Sequence, residues 1–125
     1  MIVGVGTDVV EIGRVALALE RWGDRFVERI LTPEERARYA GTRQKASHLA
    51  KRFAAKEAFG KALGTGIRPP AVLPSIAVAH DGLGKPLLVF HGRLAEMIEN
   101  QHLIAHLSLS DEAEYAIAYV ILEPT

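Results

Sequence analysis

Arg52-Phe53-Ala54-Ala55-Lys56-Glu57-Ala58-Phe59-Gly60-Lys61-Ala62-Leu63-Gly64-Thr65-Gly66 reads as a helix whose end is written into it. Alanines and straight-chain residues, the best helix formers, fill its body. Gly64 stands where a left-handed residue closes a helix, and Gly66 keeps the following turn loose. Glu57 and Lys61 are one turn apart on one face, so both point at the same object. Ala50, Phe53, Ala54 and Gly60 share that face. A carboxylate and an ammonium set among small residues leave room for a close approach, and a metal-bound phosphate suits such a place.

Outward from this helix, the pattern fills in on both sides. Thr32-Pro33-Glu34-Glu35 is a helix start: Thr as cap, Pro at the first position, and Glu completing a capping box. That helix ends near Gly41, and the long one runs from about Gln44 to Leu63. Residues from about Glu11 to Ile30 read as helix broken near Gly23-Asp24. The opening Ile2-Val3-Gly4-Val5-Gly6-Thr7-Asp8 is an apolar, Val-rich run and reads as a buried first strand. It places Asp8 at the far end, just after a flexible Gly6. Downstream, Thr65 to Pro74 reads as a loop. Ser75 to His80 and Pro86 to His91 read as strands joined by Asp81-Gly82-Leu83-Gly84, a hairpin signal. Gly92 to Gln101 reads as helix. Ala105 to Ser110 and Tyr115 to Leu122 form a second hairpin. The expected fold class is α+β, with helices on one face of a mainly antiparallel sheet, in a single domain spanning residues 1–125.

Composition excludes several kinds of chemistry. The 125 residues suit one domain with a modest core, and 49% hydrophobic content argues against disorder. There is no cysteine, which removes disulfides, thiol catalysis and zinc-thiolate sites. No apolar run approaches a membrane span, and no basic start precedes a cleavable apolar segment, so a cytoplasmic protein is expected. Net charge is zero, yet twelve of the fifteen Lys/Arg and only six of the fifteen Asp/Glu lie between Arg14 and Lys61. A basic half of this kind can meet an anionic ligand or an acidic partner. A nucleic-acid binder is disfavoured by the zero net charge and the few aromatics available for base stacking.

Two fragments, Gly6-Thr7-Asp8 and Phe53-Ala54-Ala55-Lys56-Glu57-Ala58-Phe59-Gly60-Lys61, together resemble the signatures of the holo-acyl-carrier-protein synthase family of 4'-phosphopantetheinyl transferases, in its short bacterial form. Those signatures are Gly-x-Asp near the N-terminus and (Trp/Phe)-x-x-Lys-Glu-(Ala/Ser)-x-x-Lys on a helix. Gly84-Lys85-Pro86 and His106-Leu107-Ser108-Leu109-Ser110 match as well, so the resemblance runs nearly end to end. It implies transfer of 4'-phosphopantetheine from coenzyme A to a serine of apo-acyl carrier protein. Adenosine 3',5'-bisphosphate would leave, and the carrier would be primed for fatty acid synthesis. A non-catalytic coenzyme A or carrier-binding module is the alternative. The resemblance also implies a homotrimer.

Asp8 and Glu57 are two carboxylates from distant segments, the donor type that magnesium takes beside water and phosphate oxygens. Lys61 would face the coenzyme A pyrophosphate, and backbone N–H groups of Gly64, Thr65 and Gly66 would approach its phosphates. By resemblance, Arg52 and His106 come to the 3'-phosphate and adenosine end. Ser108 shares a strand face with His106 and would line the pantetheine channel, as would Ser110. A serine-hydrolase reading of these serines fails, since no Gly-x-Ser-x-Gly elbow is present and they lie within a strand. Arg14, Arg21 and Arg25 would lie along one helical face if the helix continues past Gly23, and the resemblance makes them a docking surface for the acidic carrier. The proton acceptor for the carrier serine is either Glu57 or a metal-bound water. His48, His80, His91 and His102 match no ligand spacing. Two departures from the family pattern stand out: Gly60 where Ala or Ser is commoner, and Asp111 after the strand where many members carry His-Thr.

Overall fold

A computed structural model describes residues 1–125. Strand β1 (Gly4–Glu11) leads into α1 (Ile12–Trp22), α2 (Asp24–Ile30), α3 (Pro33–Ala40) and the long α4 (Lys45–Leu63). A 3-10 turn at Leu73–Ser75 precedes β2 (Ile76–His80) and β3 (Pro86–Phe90). Helix α5 (Gly92–Asn100), β4 (Leu103–Asp111) and β5 (Tyr115–Pro124) complete the chain. All pairings are antiparallel, but they form two sheets, β1-β5-β4 and β2-β3. The α+β class therefore stands, with the strand set divided.

Local chemistry explains the helix ends. Thr32 Oγ1 accepts from Glu35 N at 3.2 Å and Glu35 Oε1 accepts from Thr32 N at 2.9 Å, the capping box read from the sequence. Gly23 separates α1 from α2 with φ 55°, so the helix does not continue through it. Gly64 closes α4 at φ 89°, and its N–H donates to Gly60 O and Lys61 O.

Helix α4 crosses the inner face of the larger sheet. Ala54, Ala58 and Ala62, spaced one turn apart, meet Ala118, Val120 and Leu122 of β5 in the main core. A second cluster gathers Val15, Val27, Ile30, Leu31, Leu49 and Ala50 beneath α1 and α2. The close approach of β1 to α4 depends on absent side chains: a Cβ at Gly4 or Gly6 would overlap the carbonyl oxygen of Ala62 or Ala58. Gly6 is thus required for contact, and its role is not the flexibility expected of it.

The first strand also corrects two expectations. It is an edge strand and is not buried on both faces: Val5 and Val9 are 48% and 59% exposed. The Val-rich run carries two apolar faces, and this chain covers only one. Asp8 does not end the strand either; pairing continues three residues further, to Glu11 opposite Tyr115.

Candidate active site

Asp8 lies on the inner face of β1, in register with Ala118. The strand's alternation turns Gly4, Gly6, Asp8 and Val10 towards α4. From α4, Lys61 Nζ donates to Asp8 Oδ1 at 3.1 Å and to Thr7 O at 3.0 Å. Glu57 stands one turn earlier. The helix pair of Glu57 with Lys61 that spacing allows is not formed; the ammonium reaches across to the strand instead. Burial pushes the Glu57 carboxyl up, the nearby Asp8 charge adds to this, and Lys61 opposes it. Two carboxylates this close would both be relieved by a cation. They supply two hard oxygen donors and leave the remaining positions to water or a substrate, which fits magnesium. An ammonium has three donor hydrogens, so Lys61 has one left to offer a ligand.

A groove leads away from this cluster. Asp8, Glu57, Arg14, Phe26, Phe53 and Tyr115 line it. Arg14 is highly exposed on α1, and Arg21 lies over the Trp22 ring at 5.4 Å. Arg25 belongs to α2 and lines an adjoining hollow with Ala18, Trp22 and Phe26. The three arginines thus share one side of the molecule, although the helix does not run unbroken through them.

The turn after α4 departs from expectation. The N–H groups of Gly64 and Gly66 donate inward to Gly60 O, and that of Gly64 also to Lys61 O. They are spent on closing the helix, which leaves the Thr65 N–H as the turn's open backbone donor. Gly60 now has a reason. A Cβ there would stand 2.9 Å from the Gly66 carbonyl carbon, so the small residue lets the turn fold onto the helix.

Arg52 does not join Asp8, Glu57 and Lys61. It lies nine residues before Lys61, about half a turn out of phase around α4. It faces the other edge of the sheet, where Lys51, Arg52, His80, Gly84, Pro86 and Asp111 line a cleft. Arg52 is 4% exposed, and its Nη1 donates to His48 O at 3.4 Å while its Nε has no partner. His106 and Ser108 of β4 are on the outer face, in register with Ile121 and Tyr119. Within one chain they meet neither cluster, and His106 Nε2 sits 3.0 Å from Glu123 Oε1.

Sequence reasoning missed one residue at the centre of this arrangement. Lys56 is fully buried and donates to Glu35 Oε1 at 2.6 Å, to Leu73 O at 3.2 Å and to Ile30 O. Glu35 Oε2 accepts from Val78 N at 2.8 Å. Burial pushes the Lys56 pKa down, and Glu35 opposes it. One ion pair thus ties α4 to the ends of α2 and α3 and to β2. The signal was present in the helix phase, since Lys56 shares a face of α4 with Arg52 and Phe59, and Phe59 packs on Phe90 of the smaller sheet.

Residues 4–120 match the family described as the 4'-phosphopantetheinyl transferase superfamily. A protein of Dechloromonas aromatica named holo-(acyl-carrier-protein) synthase is 61% identical over 123 residues, 98% of each chain. The crystal structure of the Neisseria meningitidis synthase superposes with a TM-score of 0.95 at 43% identity, covering 98% of this chain and 99% of that one. The Bacillus anthracis synthase, solved in complex with CoA (3',5'-ADP), gives 0.86 at 40% identity over 100% and 99% of the two chains. Signature residues, antiparallel fold and a profile spanning nearly the whole chain agree, and the chain belongs to the 4'-phosphopantetheinyl transferase superfamily.

Proposed function

We infer that this chain transfers 4'-phosphopantetheine from coenzyme A to a serine of apo-acyl carrier protein, releasing adenosine 3',5'-bisphosphate. The observation that carries the reading is the convergence of Asp8, Glu57 and Lys61 from β1 and α4, beside a groove open to Arg14. Kinship with synthases of the same length and fold supports it.

Asp8 and Glu57 would hold magnesium. When bound, it supplies positive charge that offsets charge developing on the pyrophosphate oxygens. Lys61 places its remaining donor on the same oxygens, oriented by Asp8 and the Thr7 carbonyl. The Thr65 N–H approaches the phosphates from the turn. The carrier's serine oxygen attacks the β-phosphorus, the bond to the bridging oxygen breaks, and the serine proton passes to a base, Glu57 or a bound water. Arg14, Arg21 and Arg25 meet the acidic carrier. The groove from Arg14 then ends at Asp8 and Glu57, where the serine has to arrive.

The nucleotide end belongs to the Arg52 cleft, with His106 supplied from a second copy and Ser108, on the same strand face, lining the pantetheine channel. The outer face of β1, β5 and β4 exposes Val5, Val9, Ile104, Ile117 and Tyr119, an apolar patch suited to self-association. A homotrimer built on that face would bring outer-face residues of one copy to the edge clefts of another. No helix is long and apolar enough to cross a membrane, in keeping with a cytoplasmic location. The priming of a fatty acid carrier would be the role.

Purified protein with coenzyme A, magnesium and apo-carrier should increase the carrier's mass by one phosphopantetheine. Tight binding of both substrates with an unchanged carrier mass would leave only the binding-module alternative.

A further inference from the structure

The cleft at the β4 edge collects positive charge that its surroundings do not balance. Arg38 and Arg52 form no ion pair, and Lys51 has only Asp111, at 3.7 Å. Arg52 is buried with an unpartnered Nε, and His48 behind it has an unpartnered Nε2. His80, at the end of β2, is half-buried and lines the cleft beside Arg52. Its Nδ1 lies 3.2 Å from Arg38 Nη1. A guanidinium only donates, so Nδ1 is the acceptor and carries no proton. A buried cation with an open donor, next to further cations, is a receptor for a compact, doubly charged anion.

Taking Arg52 as the contact for the 3'-phosphate of coenzyme A, as proposed above, we propose that Arg38 and His80 complete the receptor. Filling it moves a proton onto His80 Nδ1 and turns Arg38 from the imidazole to the anion. Protonated Nδ1 no longer accepts, so the Arg38 bond is lost as the proton arrives, and both groups become donors. The groups facing the imidazole are Arg38 of α3, His48, Lys51 and Arg52 of α4, Asp81 of the β2–β3 turn, and Asp111 of β4 across the cleft. Within the chain itself, burial first and then Arg52, Arg38 and Lys51 hold the His80 pKa below its ordinary value, against Asp81. A phosphate monoester carries a charge of about −1.5 to −2 and reverses that balance. His48 is held down to about 4 by burial and the same cations, and it stays neutral behind the receptor.

Calorimetric titration with coenzyme A and with 3'-dephospho-coenzyme A, near pH 7 in two buffers of different protonation heat, tests this. The full-length wild type should take up protons with coenzyme A, and not with the dephospho form. His80→Gln should lose that uptake and lower the preference for coenzyme A about tenfold, equivalent to one charge-assisted hydrogen bond. Arg38→Gln should lower the preference and reduce the uptake without abolishing it, because the imidazole loses the donor that holds Nδ1 unprotonated. Because the ligand's own phosphate also titrates near pH 6, the difference between wild type and His80→Gln is the quantity read. A wild type that prefers coenzyme A, with a His80→Gln variant matching it in preference and proton count, would overturn the roles of Arg38 and His80 alone. Equal wild-type affinity for both nucleotides would remove the Arg52 reading beneath them.

Discussion

The two edges of the larger sheet carry charge in opposite ways. At the β1 edge, Asp8 and Glu57 outnumber Lys61, and the Glu57 carboxyl is raised first by burial and then by the Asp8 charge. At the β4 edge, Arg38, Lys51 and Arg52 gather around His80, and the carboxylates nearby are Asp111 and Asp81. On the proposed function, the first edge would be completed by a cation and the second by an anion. Helix α4 serves both because its phase sends residues 57 and 61 to one side and residue 52 to the other, across about 10 Å of sheet. A substrate that is anionic at both ends and bound to a cation at one of them suits this division. The division places the Arg52 cleft and the Asp8–Glu57 cluster of a single copy at opposite edges of the sheet.

The comparison is most easily broken at the pin between the edges. Lys56→Met should destabilise the fold by about 3–5 kcal/mol, because it leaves Glu35 charged and buried without its partner. Chemical denaturation reads this, and a loss below about 1 kcal/mol would show that α4 holds its phase without the pair.

The two edges should then separate kinetically. Asp8→Ala and Glu57→Ala should each reduce transfer a hundredfold or more, chiefly in kcat, with little change in Tm. Arg52→Ala should instead raise KM for coenzyme A about tenfold, with a smaller effect on kcat. Matching effects from both edges would contradict their different tasks.

A smaller effect sharpens the account of the turn. Helix propensity alone would make Gly60→Ala a gain of about 1 kcal/mol. Contact with Gly66 opposes it, and overpacking of this kind costs about 1–3 kcal/mol. A net loss of about 1 kcal/mol is expected, with a rise in KM for coenzyme A. A more stable variant would mean that the turn moves freely.

The smallest effect is in pH. His48 falls from an ordinary 6.5 to about 4 in the folded chain. As pH drops below 6.5 the unfolded chain takes the proton first. The stability His48 contributes is therefore complete above pH 6.5 and is lost progressively down to about 4. Allowing for its partial exposure, about 1–2 kcal/mol is at stake. His48→Phe should flatten that part of the stability profile, and an unchanged slope would assign it to other groups.

Much of this was legible in advance, where the physics is local. The break at Gly23, the capping box at Thr32, the closing glycine at 64 and both hairpins depend on neighbours within a few residues. Asp8 and Glu57 could be paired only through the joint resemblance, because nothing local ties two segments nearly fifty residues apart. His80 and Arg38 were invisible for the same reason: they lie 42 residues apart and meet only after α3 and β2 have packed.

By itself, then, the sequence determined the elements, their caps and turns, and the residue types needed for a phosphate-transfer site. Hydrophobic period and capping chemistry act over three or four residues and leave their marks in order along the chain. Only the tertiary structure decided which face of each element was covered. It left the Val-rich strand at an edge with one bare side, and made Gly6 a point of contact where only flexibility was expected. It buried Lys56 on Glu35 and sent Arg52 and Lys61 to opposite edges. Those outcomes follow from strand order and helix rotation, which are settled by the packing of segments distant in sequence, and no local pattern records them.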